Sequence, residues 1–445
     1  MSDAKAGRCQ GQGSRLRASC GIESTAVAMM NGPRLRLAIT TFCLSLLASH
    51  AALFWVVRRQ VLAGSPDFRI FYTAGRMLKR GQGQLLYHGD VQLRTQQEFA
   101  AAVVRQDGPL PYNHPPFEAV LYVGMAYFSY IRAYFLWFMV NLVLVALTIH
   151  VILPWLPTVQ AIFPRLVYVV PLAFFPVAYA LMQGQDSVLL LLLYTLAYAA
   201  FRRRQDLRAG VYLGLGLFKF HLVFPFVFIL LLKRRWRACG GVVLAACFDL
   251  ALSLAITGWR ELLYYPRYVW RINQLQPARV IVPQNMPNLR GLLSGWAHVN
   301  PGSYAMDLAL LLVSLAALVW ASRQWKSWDV PDFPSWNTGF CVAMVATFLV
   351  GYHGYNQDMS TLLLPALITL DRVLRQELPG FGVKTALGLM FFTPLYLLLT
   401  LHFGHQNLFA LVLLMFAGFL AASSASARSP TWADKSKVPS SVQLG

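Results

Sequence analysis

Asp67, in the stretch Ser65-Pro66-Asp67-Phe68-Arg69-Ile70-Phe71-Tyr72-Thr73-Ala74-Gly75-Arg76, is a carboxylate beside a long apolar run. Transfer of a glycosyl or acyl group to an alcohol needs such a group to take the hydroxyl proton. In the first turn of a helix the dipole would favour its ionised, proton-accepting form. The bland alternative is a residue that only starts the helix. Lys219 interrupts an apolar run, where a charge needs a partner or a watery cavity, and its ammonium suits a phosphate; the alternative is a lysine snorkelling at a helix end. His353, between Tyr352 and Tyr355, could donate to a phosphate oxygen or serve only as a hydrogen-bonded structural residue. Gln183, Gln185 and Asp186 flank Gly184 and offer amides and a carboxylate of the kind that holds sugar hydroxyls, although a polar interhelical turn has the same composition. Asn285, Asn288 and Arg290 lie in a loop whose Asn and Pro are ordinary turn formers. Arg290 adds a guanidinium able to bind phosphate bidentately.

These residues are carried by a chain of 445 residues with 57% hydrophobic content, 13% charged residues and a mean hydropathy of +0.50. That balance suits an all-α polytopic membrane protein and not a soluble enzyme. The net charge of +20 falls largely in short clusters between apolar runs, as topology-setting charges do, so no nucleic-acid partner is expected. The six cysteines show no CxxC spacing, which argues against a disulfide framework or a cysteine metal site. No P-loop, GxGxxG, HExxH or GxSxG stands in a suitable context, and there is no Asp-x-Asp pair. An ATP-driven pump, a nicotinamide enzyme, a zinc protease, a serine hydrolase and a metal-bound nucleotide-sugar site are therefore disfavoured.

Residues 1–34 read as a disordered or mis-assigned basic tail and 424–445 as a cytoplasmic tail, leaving 35–423 as one integral domain. Leu35 to Val57 is long enough to span as a signal anchor. Ser65 is expected as N-cap and Pro66 as the first residue of a short amphipathic helix lying on the membrane. Phe117 to Tyr130, with Glu118 and a leading Pro115-Pro116, is short enough to dip and return. Spans are expected at Ala133–Leu153, Leu166–Met182, Val188–Phe201, Gly210–Leu232, Ala238–Ile256, Ala305–Ala321, Gly339–Val350, Met359–Leu370, Ala386–Leu401 and Leu408–Ala421. Placing Arg202–Arg204 and Lys233–Arg237 both inside makes the run between them two half-helices, with Lys219 and His221 near the outer face. The same choice puts Gln183–Asp186, Tyr352–Asp358 and His402–His405 outside. Arg58 and Arg59 resist this assignment, and a rival with Phe117–Tyr130 spanning would make Gln183–Asp186 cytoplasmic.

The ordered set of short motifs resembles glycosyltransferase family 87 of the GT-C superfamily, which includes polyprenol-phosphate-mannose-dependent mannosyltransferases. The motifs are Asp67-Phe68 with Tyr72 and Ala74, Tyr112 with Pro115-Pro116, Gln183-Gly184-Gln185, Gly214 with Lys219 and Pro225, the asparagine-rich loop, and His353 with Asp358 and Pro365. The resemblance implies a GT-C-type fold of about 12 transmembrane helices with outer loops at about 58–116 and 257–302. It also implies inverting transfer from a polyprenyl-phosphate sugar to a lipid or glycan acceptor, at the outer face of a bacterial cytoplasmic membrane and in contact with its lipids. By position Asp67 is the base, and Lys219 and His353 steady the phosphate. Gln183, Gln185 and Asp358 line the sugar or support the site, and Tyr72, Tyr112, Asn288 and Arg290 complete the substrate-binding set. The chain departs from the pattern at Gln185-Asp186-Ser187 and where Asn356-Gln357 separates Tyr355 from Asp358. No metal ligand is assigned and no cofactor is required, but a carboxylate-bound divalent cation stays open. The rival from another class is a transporter or flippase of a lipid-linked or anionic solute.

Overall fold

Helices with apolar side chains around their whole circumference are stable only where lipid replaces water, and this chain has several. In the computed structural model, which describes residues 33–275, 282–296, 304–326, 334–378 and 380–426, helix α1 (Pro33–Ala63) leaves Leu37, Leu44, Trp55 and Val56 exposed. Helix α4 (Tyr130–Ile152) leaves Phe135, Met139 and Val143 exposed in the same way. Between them lie α2 (Phe68–Lys79), α3 (Gly89–Asp107) and short 3-10 turns at Pro116–Tyr122 and Met125–Tyr127. Among the described residues the chain forms only helices, 3-10 turns and loops.

Prolines break the next stretch into α5 (Pro157–Ile162), α6 (Val170–Ala173) and α7 (Phe175–Gln183). The single span expected at Leu166–Met182 is therefore absent as one helix. Helix α8 (Ser187–Arg202) matches its expectation within a residue at each end. Helices α9 (Asp206–Gly214) and α10 (Phe220–Leu232) follow, and the first is bent by 60° from the segment Leu217–Leu232. Arg235 Nη1 lies 3.9 Å from Asp206 Oδ2, so the basic clusters flanking the pair adjoin and the run between them goes out and comes back. This is the half-helix geometry expected from the charge pattern, with Lys219 at the far end.

Helix α11 (Trp236–Leu275) runs past Ile256, bends at Gly258 and continues, so much of the expected loop 257–302 is helical. Helices α12 (Leu289–Trp296), α13 (Tyr304–Gln324), α14 (Pro334–Val350), α15 (Leu363–Leu374), α16 (Phe381–Phe391), α17 (Thr393–Leu401) and α18 (Phe409–Ser426) complete the chain. The expected span Ala386–Leu401 is a second broken pair, bent by 62°. Among the described residues four helices can cross a bilayer by length and composition, or up to six if each bent pair is one span, so twelve crossings are not established. The expected tails, 1–34 and 424–445, lie almost entirely outside the described residues, as do parts of the loop after α11.

The expected surface helix is a buried one. Phe68 through Gly75 and Met77 of α2 are covered, and Asp67, without a side-chain capping bond, holds the N-cap position given to Ser65. The cover is an aromatic core of Phe68, Phe71, Tyr72, Tyr112, Tyr122, Tyr130, Tyr134 and Trp137, separate from the large apolar core of the bundle. Phe71 stacks on Tyr122 at 4.7 Å between centroids. Buried tyrosine hydroxyls donate to backbone carbonyls of the turns: Tyr72 to Phe128 (2.7 Å), Tyr87 to His114 (2.9 Å) and Tyr112 to Pro115 (3.0 Å), the last shared with the Glu118 N–H. Irregular chain is thereby held in a dry interior.

Helix α2 meets the 3-10 turn at Gly75, where an added Cβ would lie 2.3 Å from the Tyr122 carbonyl oxygen. Backbone cannot swing aside as a side-chain tip can. Gly75→Ala should therefore destabilise the protein by about 1–3 kcal/mol despite alanine's better helix propensity. Thermal unfolding in detergent measures this, and an unchanged or raised midpoint would contradict the packing.

Candidate active site

The site begins with the turn between α7 and α8. Gly184 adopts a left-handed conformation (φ +63°), and an added Cβ there would fall 2.7 Å from Phe68 Cβ. A glycine is needed on both counts, and it lets the start of α2 sit directly on the turn. The turn is pinned from α4 by Tyr134, whose hydroxyl donates to Met182 O (2.7 Å), and by Trp137, whose indole N–H donates to Gly184 O (3.0 Å). Asp67 is then bound twice. Its backbone N–H donates to Gln183 Oε1 (3.1 Å), and Gln185 Nε2 donates to its Oδ2 (2.7 Å).

Gln185 passes the connection on, because its Oε1 accepts from Lys219 Nζ at 3.1 Å. Lys219, at the break between α9 and α10, also donates to Asp358 Oδ1 (2.8 Å) and lies 3.1 Å from Asp186 Oδ1. Two of the three ammonium donors are thus hydrogen-bonded, to Gln185 and Asp358, and Asp186 adds an ion pair. Asp358 is held further by the Ser187 hydroxyl on Oδ1 (2.9 Å) and by the Tyr355 N–H on Oδ2 (3.1 Å). The two departures from the expected motif thus meet at one carboxylate. Ser187, from the first departure, binds it through the hydroxyl, and the backbone of Tyr355 reaches it across the intervening Asn356-Gln357.

Asp67, Gln185, Lys219 and Asp358 open on a cavity of about 160 Å³, together with His114, His221, His353 and Tyr355. The rings of His221 and His353 meet edge to face with centroids 6.0 Å apart. Burial, with His221 and Arg290 beside it, holds His353 well below the usual histidine range, so the ring is neutral and has one N–H to donate. Burial likewise pushes His114 down to about 4. The Asp67 carboxyl reaches the cavity but is walled by protein on its other sides. That burial raises it above the usual carboxylate range against the pull of Gln185 and Lys219.

A family model described as glycosyltransferase family 87 matches residues 112–351. The chain belongs to that family. It is accordingly a multi-pass membrane glycosyltransferase, in agreement with its apolar helices. No curated protein matches, and no solved structure does.

Within this family 87 chain, Asp67, Gln185, Lys219, His353 and Asp358 come together at the cavity as the sequence suggested. Gln183 reaches Asp67 through the backbone amide without lining the cavity. Tyr72 and Tyr112 do not line it either, and their hydroxyls are bound to Phe128 and Pro115 carbonyls. Asn288 is wholly buried, donates to Gly351 O (2.7 Å) and accepts from Gly291 N (2.9 Å), which makes it a brace under the loop of His353. Arg290 lies over the Tyr352 ring at 3.8 Å, donates to Tyr352 O (3.1 Å) and stands 3.4 Å from His353 Nδ1. It supports the histidine from behind.

Two residues with no assigned role reach this region. His114 lines the cavity, and its Nδ1 is 2.8 Å from Glu118 Oε2. Glu118 is fully buried, which raises its carboxyl to about 7. A glutamate inside an apolar run was the available signal. In the sequence it marks Phe117–Tyr130 only as a segment that dips and returns.

The network makes Lys219 non-additive with its partners. Lys219→Met leaves buried carboxylates without their ammonium and should cost about 3–5 kcal/mol, while Lys219→Met combined with Asp358→Asn should cost clearly less than the sum of the two single changes. Unfolding midpoints of the four proteins in detergent give the coupling. Simple additivity would contradict the ion pair.

Proposed function

We propose that this membrane glycosyltransferase moves a hexose such as mannose from a polyprenyl-phosphate donor to a hydroxyl of a lipid or glycan acceptor, with inversion, at the outer face of a bacterial cytoplasmic membrane. The observation that carries this reading is the setting of Asp67. Its Oδ2 is clamped by Gln185, while among the described residues no hydrogen bond reaches Oδ1, and the group faces the cavity that His221 and His353 also line. The other cavity carboxylate, Asp358, is engaged at both oxygens. One base remains, as a single displacement requires.

In the reaction the acceptor O–H gives its proton to Asp67, its oxygen bonds to the anomeric carbon, and the bond from that carbon to the phosphate oxygen breaks. Polyprenyl phosphate leaves with the electron pair. Lys219, which lines the cavity, is hydrogen-bonded to Gln185 and Asp358 and orients both, and its charge also steadies the departing phosphate. The neutral imidazoles of His221 and His353 supply N–H groups to the phosphate, with Arg290 behind His353. The activated sugar-phosphate bond drives transfer, and no nucleotide site is called for. Family membership and the single available carboxylate favour this over transport of an unmodified solute.

Asp67→Asn should lower transfer by about 10²–10⁴-fold with donor binding retained, measured with radiolabelled polyprenyl-phosphate sugar and acceptor in detergent or vesicles. Wild-type turnover in that variant would remove Asp67 as the base. The pH dependence has a defined sign. Asp67 works ionised and its carboxyl is raised, so kcat/KM should fall as pH drops through a value above the ordinary aspartate pKa of about 3.9. An acidic limb at or below that value would exclude Asp67 as the titrating group.

A further inference from the structure

Behind the cavity wall, His114, Glu118 and Asp186 present one nitrogen and two carboxylate groups whose ligand atoms all lie within 4.8 Å of one another. Glu118 and Asp186 are both wholly buried. Glu118 Oε1 and both carboxylate oxygens of Asp186 accept no hydrogen bond, so two carboxylates face each other with no protein donor between them. Such a pair is held together only by a cation or a shared proton. The surrounding charge points to the cation. Asp186 and Asp358 already share the ammonium of Lys219, and Arg290 is turned to Tyr352 and His353.

We propose that His114, Glu118 and Asp186 bind one divalent first-row cation of the Mn²⁺ or Zn²⁺ type. An imidazole combined with two carboxylates suits these ions better than Mg²⁺ or Ca²⁺, which favour all-oxygen sites. The ligands come from two segments: His114 and Glu118 from the stretch that leads into the 3-10 turn Pro116–Tyr122, and Asp186 from the turn preceding α8. An ion there joins segments that otherwise touch through packing. It also takes the charge of Asp186, leaving Lys219 to Gln185 and Asp358. Glu118 and Asp186 do not line the cavity, so the ion positions the network and does not contact the transferred sugar.

Metal content is measurable without turnover, which keeps this inference separate from the transfer reaction. Full-length protein in detergent is stripped with chelator, incubated with Mn²⁺, desalted and assayed for bound metal and by electron paramagnetic resonance, with Zn²⁺ loading in parallel. The wild type should retain close to one ion per chain and gain several degrees in thermal midpoint on loading. Glu118→Gln and Asp186→Asn, which keep shape and remove charge, should each retain at most a tenth as much and gain nothing. Asp67→Asn should bind like the wild type, which distinguishes this cluster from the cavity carboxylate. Gel filtration and the unloaded midpoint verify that each variant is folded. Failure of the wild type to retain metal, or equal retention by folded Glu118→Gln and Asp186→Asn, would overturn the proposal and leave a shared proton.

Discussion

A primary ammonium inside a membrane protein has to be met by counter-charge, because neither lipid nor distant water can solvate it. Lys219 meets that demand with Asp186, Asp358 and the Gln185 carbonyl, and most of the site follows from it. To bring those acceptors to one point, the chain breaks between α9 and α10, turns sharply between α7 and α8, and folds the loop after α14 inward. Gln185, with its carbonyl held by the lysine, must present its amide the other way, and Asp67 receives it. The lysine thereby sets the orientation of a carboxylate it does not touch.

The second support is aromatic. Segments without helical hydrogen bonding cannot stay in a dry interior unless other donors satisfy their carbonyls. Tyrosines and Trp137 do this around α2 and the 182–184 turn, while their rings fill the space between. Stacking and hydrogen bonding come from the same side chains, so local irregularity and tight packing coexist. The large apolar core of the bundle is built mostly from aliphatic residues and phenylalanine, with Tyr194 and Tyr396 serving the Leu222 and Met390 carbonyls in the same way.

Hydropathy and charge pattern made several features legible in advance. They include the apolar helices, the break at Lys219, the adjoining basic clusters, and the gathering of Gln185, Lys219, His353 and Asp358 around Asp67. Each follows from costs that act on single residues or short runs, namely burying charge or leaving backbone unpaired. What stayed illegible depends on three-dimensional partners. Period-3.6 amphipathicity placed α2 on the membrane because Arg69, Arg76 and Lys79 looked like a solvated face, but a second aromatic core lies over it. Tyr72 and Tyr112 entered the substrate-binding set through the family resemblance, and only the fold shows which carbonyls their hydroxyls serve. Glu118 and Asp186 are 68 positions apart in sequence, and nothing local announces that they face each other.

The double attachment of Asp67 to one turn has a mechanical corollary. Backbone and side chain are fastened to Gln183 and Gln185 respectively, with Gly184 pressed against Phe68 between them. Asp67 and its cradle therefore form a single stiff lever. An oversized molecule pressing on α2 would tilt the lever as a whole instead of bending Asp67 out of line. Discrimination among acceptors would then register as a change in whether they enter, and much less as a change in how fast those that enter react.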